Sequence, residues 1–268
     1  MRVLIVLLLA ALAAFALGCQ ESGFDERKET ARPLKVQHVK GESKVPGQAE
    51  RPATLTLDTL DDTLALGLRP VVAAVPGDAL PGYLRRPAAG VKTIPPVAAG
   101  RLGAVRKARP DVIVGRQGAL FEGLSLIAPT VIVEPGSGRW KLNLRLMGEA
   151  LGRTNDAEAL LTDYDRRVAA VRSARGRPRV AVVRPVEDGW RFAPRDSFAG
   201  TILADAGVRQ VRTAGTADVL LVSQRRQVEL RVDGAFEQGD VDLRTWWGPG
   251  GVIQARAALA ELRDVLRG

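Results

Sequence analysis

Cysteine and histidine are almost missing. The 268 residues hold one of each, Cys19 and His38. A lone cysteine excludes an intrachain disulfide. Together the two leave too few ligands for a side-chain zinc or manganese centre, which needs several His or carboxylate groups converging on one point. His38 and Glu42 are spaced i, i+4, but Gly41 lies between them and the segment does not read as helical. A Ser-His-Asp triad is hard to build around one His beside a polar N-terminal stretch. There is no Gly-x-Ser-x-Gly elbow and no Gly-Lys-Ser/Thr phosphate loop. The close carboxylate pairs, Asp61-Asp62 and Asp163/Asp165, fall in helical patterns, where such pairs usually face water. No enzyme and no cofactor is expected. Aromatic residues make up only 4% of the chain, so each Trp outside a core run needs a reason.

Charge is not scarce. The balance is 39 Lys and Arg against 30 Asp and Glu, a net +9. The arginines are scattered rather than grouped, which argues against a nucleic-acid arm. They favour an anionic ligand or surface, or reflect compositional bias alone. Hydrophobic residues reach 46%, ample for packed cores. At the N-terminus Arg2 precedes an unbroken apolar run, Val3–Leu17, short for a membrane span and fitting for a signal-peptide core. It ends in Phe15-Ala16-Leu17-Gly18-Cys19. That ending resembles the bacterial lipoprotein signal, with Ala16 where Leu is usual, and implies a lipid on Cys19 and an extracytoplasmic place on a bacterial membrane. Residues 20–45 are polar without periodicity and read as a tether.

The stretch Asn155–Ser173 organises the rest. Ala157, Leu160, Leu161, Tyr164, Val168 and Val171 fall on one helical face, with Asn155 as expected cap and Gly176 and Pro178 as stops. On either side, short apolar runs alternate with short helices. Strands are expected at Ala53–Leu57, Pro70–Val75, Val91–Ile94, Asp111–Val114 and Thr130–Val133, then at Val180–Arg184, Trp190–Ala193 and Ala217–Val222. Helices are expected at Asp58–Leu66, Phe198–Ala206 and Ile253–Leu266. The pattern predicts an α/β protein of two lobes with mostly parallel sheets, joined by one long inter-lobe helix. Ligands bind beyond the carboxyl ends of such strands. The loops to watch therefore start at Asp58, Pro76, Gly115 and Glu134, and contain Asp78, Tyr83, Arg116, Gln117 and Trp140.

The segments VQHVKGESKVP, ERPATLTLDTLDDTLALGLRPVVAAV, ARPDVIVG, LIAPTVIV and WKLNLRLMGEALGRTNDAEALLTDYDRRVAAV, in that order, resemble an iron–siderophore ABC-transporter substrate-binding lipoprotein. This is the class of periplasmic binding proteins with a rigid inter-lobe helix. The resemblance implies capture of a ferric siderophore in the inter-lobe cleft and delivery to an ABC permease. Haem, cobalamin or another chelate is the alternative within the class. A divergent lipoprotein that kept the scaffold as an interaction or sensory module is the alternative outside it. The expected division is a signal peptide over 1–18, a tether over 19–45, an N-terminal lobe over 46–138, a connecting segment over 139–175 and a trimmed C-terminal lobe over 176–268. A monomer is expected.

The siderophore fills the iron shell itself, so the protein need supply only cations and aromatic walls. Arginine suits this through its planar fork. The ligand-binding candidates are Tyr83, Arg116, Gln117 and Trp140 from the first lobe, and Arg195, Ser197 and Trp246 from the second. Trp247 beside Trp246 has a similar claim, and core packing competes for both. Two departures from the family pattern stand out. Residues 223–239 replace a helix and a strand. Gly103 stands where the family often has a permease-contacting Glu.

Overall fold

A computed structural model describes residues 32–77, 79–98, 101–173, 178–187, 189–213, 216–224 and 237–267. The expected signal peptide, Cys19 and Asp78 lie outside them.

The first sheet is built from short β-rich runs. Its strands are β3 (Pro52–Thr54), β4 (Val72–Ala74), β5 (Thr93–Ile94), β6 (Val112–Gly115) and β7 (Thr130–Ile132). All pair in parallel, in the order β5-β4-β3-β6-β7. Side chains alternate across the sheet. Ile113 packs on one face with Val105 and Leu124, from α3 (Gly103–Ala108) and α4 (Phe121–Ser125). Val112 and Val114 pack on the other, with the connecting helices. Both faces are covered, so the strands read as continuous apolar runs rather than alternating ones. Helix α1 (Leu57–Ala65) follows β3, its start held by a Thr56–Thr59 capping box. The one-turn α2 (Gly82–Arg85) follows β4.

The segment expected to be a tether is structured from Leu34 onward. Strands β1 (Leu34–His38) and β2 (Gly41–Val45) form an antiparallel hairpin. Val36 and Val45 are buried in the main core, and Ser43 Oγ donates to the Thr130 carbonyl. The hairpin was illegible because only one face is buried and it carries few apolar residues. The sequence shows mostly the polar, outward half.

Two helices, not one, link the sheets. They are α5 (Trp140–Leu151) and α6 (Thr154–Arg172). The second matches the expected helix, and its 19 residues span about 28 Å. Ala157, Leu161, Tyr164, Val168 and Val171 form its buried face. The cap differs from expectation: Arg153, not Asn155, holds the N-cap position, without a side-chain hydrogen bond. The chain breaks between the helices at Gly152, which has a φ of 68°. A Cβ there would strike the Gly47 carbonyl, so glycine is required both for the left-handed backbone and for the close approach.

The second sheet contains β8 (Arg179–Val186), β9 (Gly189–Phe192), β10 (Arg209–Gln210), β11 (Val219–Gln224) and β12 (Glu237–Asp242). Strands β10-β8-β11-β12 are parallel, and β9 pairs antiparallel with β8. Strand β12 covers the end of the segment expected to replace a helix and a strand, and residues 225–236 of that segment lie outside the described residues. Helix α7 (Phe198–Asp205) begins at Ser197, whose Oγ accepts from Gly200 N–H. The chain closes with α8 (Leu243–Trp246) and α9 (Val252–Val265).

One core runs through both lobes. It passes from Val112 and Val131 through Trp140, Met147 and Tyr164 to Val182 and Leu221, with α9 contributing Ala255, Ala258 and Leu262. Residues Ala31–Gly268 accordingly form one compact unit. Helix α9 belongs to the second lobe in sequence but packs on α1 and α2 of the first as well as on α6.

Candidate functional site

Three aspartates on one turn and a half of α1 set the geometry between the lobes. Asp58, Asp61 and Asp62 are all buried, about 1% exposed. Asp62 Oδ1 accepts from Val252 N–H, Asp61 Oδ1 from Ile253 N–H and Asp61 Oδ2 from Gln254 N–H. Two carboxylates of the first lobe thus satisfy the first three N–H groups of α9, groups a helix leaves unpaired at its start. The Asp61 carboxyl fills the space that a Cβ on Gly251 would need. Burial pushes the Asp61 acid up to about 7. The charge of Asp58 adds to this, and the Ile253 and Gln254 N–H groups oppose it. Burial and then the charge of Asp61 raise Asp62. The expectation that this pair faces water is wrong for a definite reason: the charged face of α1 is turned onto a helix terminus, which a periodicity reading of α1 alone does not contain.

Arg116, expected as a ligand cation, is engaged within the protein. Its Nε donates to Asp58 Oδ2, its Nη1 to the Glu134 carbonyl and its Nη2 to the Pro249 carbonyl. It buckles the loops after β6 and β7 to the loop before α9. Gln117 is also internal, donating from Nε2 to the Leu55 carbonyl and accepting from Arg116 N–H. Trp140 is fully buried, with Tyr164 and Phe198 edge-on to it at centroid distances of 4.8 and 6.4 Å. Trp246 is 1% exposed and donates from Nε1 to Glu261. Both are core residues, although Trp140 also backs a separate concavity of about 320 Å³ beside Lys141, Thr201 and Asp205. Arg195 is exposed on the turn before α7, where its carbonyl lies against Gly200, and Ser197 is a helix cap.

Of the seven candidates, Tyr83 lines the open space between the lobes. That cleft has a volume of about 320 Å³. Leu57, Pro76 and Tyr83 form its wall from the first lobe. Arg184, at the end of β8, with Arg244 and Trp247 forms its wall from the second. The Arg184 guanidinium carbon lies 4.6 Å from the centre of the Trp247 ring, a cation–π stack. Arg244 Nη1 reaches across to the Ala79 carbonyl at 2.8 Å. Tyr83 donates to Gln254 Oε1. The same buried carboxamide accepts from Gly250 N–H and donates to the Thr245 carbonyl, so the aromatic wall, the α8–α9 turn and the Asp61 cap form one connected network. Arg184 Nε and Trp247 Nε1 are buried donors without a hydrogen-bond partner among the described residues. Two cations and two rings, with no carboxylate among the described lining residues, are groups suited to anionic, oxygen-rich surfaces.

Sequence reasoning missed Arg184 and Arg244 and chose the neighbouring Trp. One signal was available: Arg184 ends the apolar run Val180–Val183, placing a charge at the carboxyl end of a strand. A larger concavity, about 690 Å³, lies along the β8–β9 hairpin, beside Trp190, Arg191 and Arg212. It involves the second lobe alone.

A family model described as periplasmic binding protein matches residues 53–229. The probable siderophore-binding lipoprotein YfiY of Bacillus subtilis (strain 168) is 31% identical over 216 residues, covering 77% of this chain and 66% of that protein. The achromobactin-binding periplasmic protein of Dickeya dadantii (strain 3937) is 31% identical over 170 residues, covering 59% and 55%. The chain therefore spans between about half and two thirds of the length of these relatives. Among solved structures, Staphylococcus aureus SirA complexed with staphyloferrin B superposes with a TM-score of 0.70 at 22% identity, covering 86% of this chain and 96% of that one. The petrobactin-binding protein YclQ of Bacillus subtilis gives a TM-score of 0.72 at 19% identity, covering 88% and 99%. These likenesses fit the two-lobed α/β fold described above.

Proposed function

The chain belongs to the periplasmic binding protein family, and on that premise we propose that it captures a ferric siderophore outside the cytoplasmic membrane and presents it to an ABC permease. The observation that carries the reading is the cleft wall: Tyr83 facing Arg184, Arg244 and Trp247, in a chain whose relatives are described as siderophore-binding. The iron shell stays with the siderophore, and no group of three or more metal-binding side chains occurs among the described residues. The protein's part is to bind, not to transform. Arginine forks hold peripheral oxygens, and the rings take up the chelate's apolar surface.

Capture in this reading needs little lobe movement. The Asp61–Asp62 cap on α9, the Arg116 buckle and the shared core oppose hinging, so the cleft is largely pre-formed and avoids part of the ordering cost of binding. Lipid on Cys19, a tether ending before Leu34 and a monomeric state complete the proposal. Among the described residues no helix is long and apolar enough to cross a membrane.

Tryptophan fluorescence tests the reading. Iron(III) complexes of a hydroxycarboxylate, a catecholate and a trihydroxamate should be compared with their metal-free chelators, haem and cobalamin. Saturable one-to-one quenching by an iron(III) chelate is expected. Quenching by haem or cobalamin alone, or by none of the set, contradicts it.

A further inference from the structure

We infer that the amino end of the first sheet, where its strands begin, is a basic face that docks on the anionic phospholipid headgroups of the membrane. The choice of a bilayer as partner rests on the lipid-anchored reading of Cys19. What the cleft binds plays no part in it, and no cleft residue is used.

The sequence concentrates positive charge in the first lobe. Between Gly67 and Pro110 stand eight Lys and Arg and one acid, Asp78, which follows β4 rather than precedes it. Topology turns that excess into a surface. The parallel order β5-β4-β3-β6 sets four strand starts side by side, about 4.8 Å apart. Lys92 lies one residue before β5, Arg69 three before β4, Arg51 one before β3 and Arg109 three before β6. All four are exposed, as are Arg106 and Lys107 in the last turn of α3, which ends at the same place. Arg51 donates to the Ala108 and Arg109 carbonyls, and Arg69 to the Pro87 and Ala89 carbonyls. These neutral partners fix the two guanidinium groups and leave their charge uncancelled. Among the described residues no ion pair joins any of the six cations to a carboxylate. Glu50 and Asp111 are the acids next to these strand starts, and Asp111 accepts from the Glu50 and Arg51 N–H groups. Arg109 also holds a φ of 47°, in the left-handed region where glycine is the usual choice. A cation stands there at a conformational cost that glycine would avoid.

The path of the chain into the fold says what this face meets. The turn of the β1–β2 hairpin lies beyond the carboxyl end of β6, where Lys40 lies against Gly118 and the His38 ring is 5.4 Å from that of Phe121. The open end of the hairpin, where Leu34 pairs with Val45, is therefore directed to the amino end of the sheet, just ahead of Arg51. Residues 19–33 lead to that point and span at most about 50 Å when fully extended. A lipid on Cys19 thus keeps the basic face within reach of the bilayer. One lipid chain alone gives weak, reversible anchoring, and a basic patch supplies the second attachment. The cleft residues Pro76 and Tyr83 lie beyond the opposite end of β4, so this contact leaves the cleft open to solvent.

Vesicle co-sedimentation of the mature chain without lipid, residues 20–268, tests the inference. Vesicles of phosphatidylglycerol mixed into phosphatidylcholine are compared with pure phosphatidylcholine, and heparin serves as a soluble polyanion. The chain is expected to bind the phosphatidylglycerol vesicles and not the others, and to do so at least about tenfold more weakly in about 0.5 M than in about 0.05 M NaCl. Arg106→Glu with Lys107→Glu is expected to weaken binding about tenfold or more. Arg191→Glu with Arg212→Glu, the same change of charge placed on the second lobe, is expected to weaken it less than about twofold. Arg109→Gly, which relaxes the backbone as it removes the cation, is expected to keep the fold and weaken binding about threefold. Equal loss in the two double variants means that net charge alone is felt, and overturns the inference. Equal binding to both kinds of vesicle overturns it too, as does binding to heparin with none to phosphatidylglycerol. If the first double variant fails to fold, Arg109→Gly and the salt series decide the matter: binding indifferent to both contradicts the inference. Each of these failures leaves chelate capture in the cleft standing.

Discussion

Trp246 and Trp247 are adjacent, yet their surroundings have little in common. On α8 and the turn after it, one residue's rotation sends Trp246 into the core against Glu261 and leaves Trp247 at the cleft under Arg184. Trp246→Phe should destabilise the fold by about 1–3 kcal/mol, through the lost indole volume at a fully buried position and the lost indole N–H bond to Glu261. Trp247→Phe should change stability by less than about 1 kcal/mol, because a phenyl ring keeps much of the half-buried cation–π contact with Arg184, and should remove most ligand-induced quenching. Urea unfolding and chelate titration of the two variants check this pair. The choice between two neighbouring tryptophans was not legible in the sequence, because it depends on where α9 lies. Arg116 was misread for a related reason. Its position at the end of β6 is a ligand position in principle, but Asp58, 58 residues earlier, is buried beside it and takes the charge. Tyr83 reaches the cleft from α2, the one-turn helix beyond β4, a place the sequence marks only as following a strand's carboxyl end.

At the scale of elements, strands and helices were readable wherever a run of apolar residues had both faces covered, as in Val112–Gly115 and Val180–Val183. The β1–β2 hairpin was not readable, since its burial is one-sided. Nor was the break at Gly152 between α5 and α6, which depends on contact with Gly47. Gly152→Ala should cost more than about 1 kcal/mol, the usual gain from such a change reversed by its left-handed backbone. Thermal unfolding measures it. The α1–α9 contact has a pH signature. Asp61 titrates near 7 in the fold against an ordinary value of 3.8. The folded state therefore holds a proton that the unfolded state has lost between those values, and this group's contribution to stability is full below about 4 and disappears as pH rises through about 7. Urea midpoints measured from pH 4 to 8 should show this loss. Asp61→Asn, compared with the unaltered protein, should remove that part of the slope; identical slopes in the two proteins would exclude the assignment.

For the whole molecule, rigidity comes from more than the long helix. The first lobe caps α9, the Arg116 buckle spans from Asp58 to Pro249, and one core passes through both sheets. Arg116→Ala leaves Asp58, 2% exposed in its side chain, without its partner. A loss of about 3 kcal/mol in unfolding free energy is expected, the scale of breaking a buried ion pair from one side. Small-angle scattering should show the same radius of gyration with and without iron(III) citrate, whereas contraction on binding would mean that the lobes hinge after all. The central claim concerns where an iron chelate sits. The most direct measurement is the anomalous scattering of iron in crystals of the protein grown with an iron(III) chelate. The account predicts one iron peak between Tyr83 and the Arg184–Trp247 stack; a peak along the β8–β9 hairpin, or no ordered iron at saturating chelate, would contradict it.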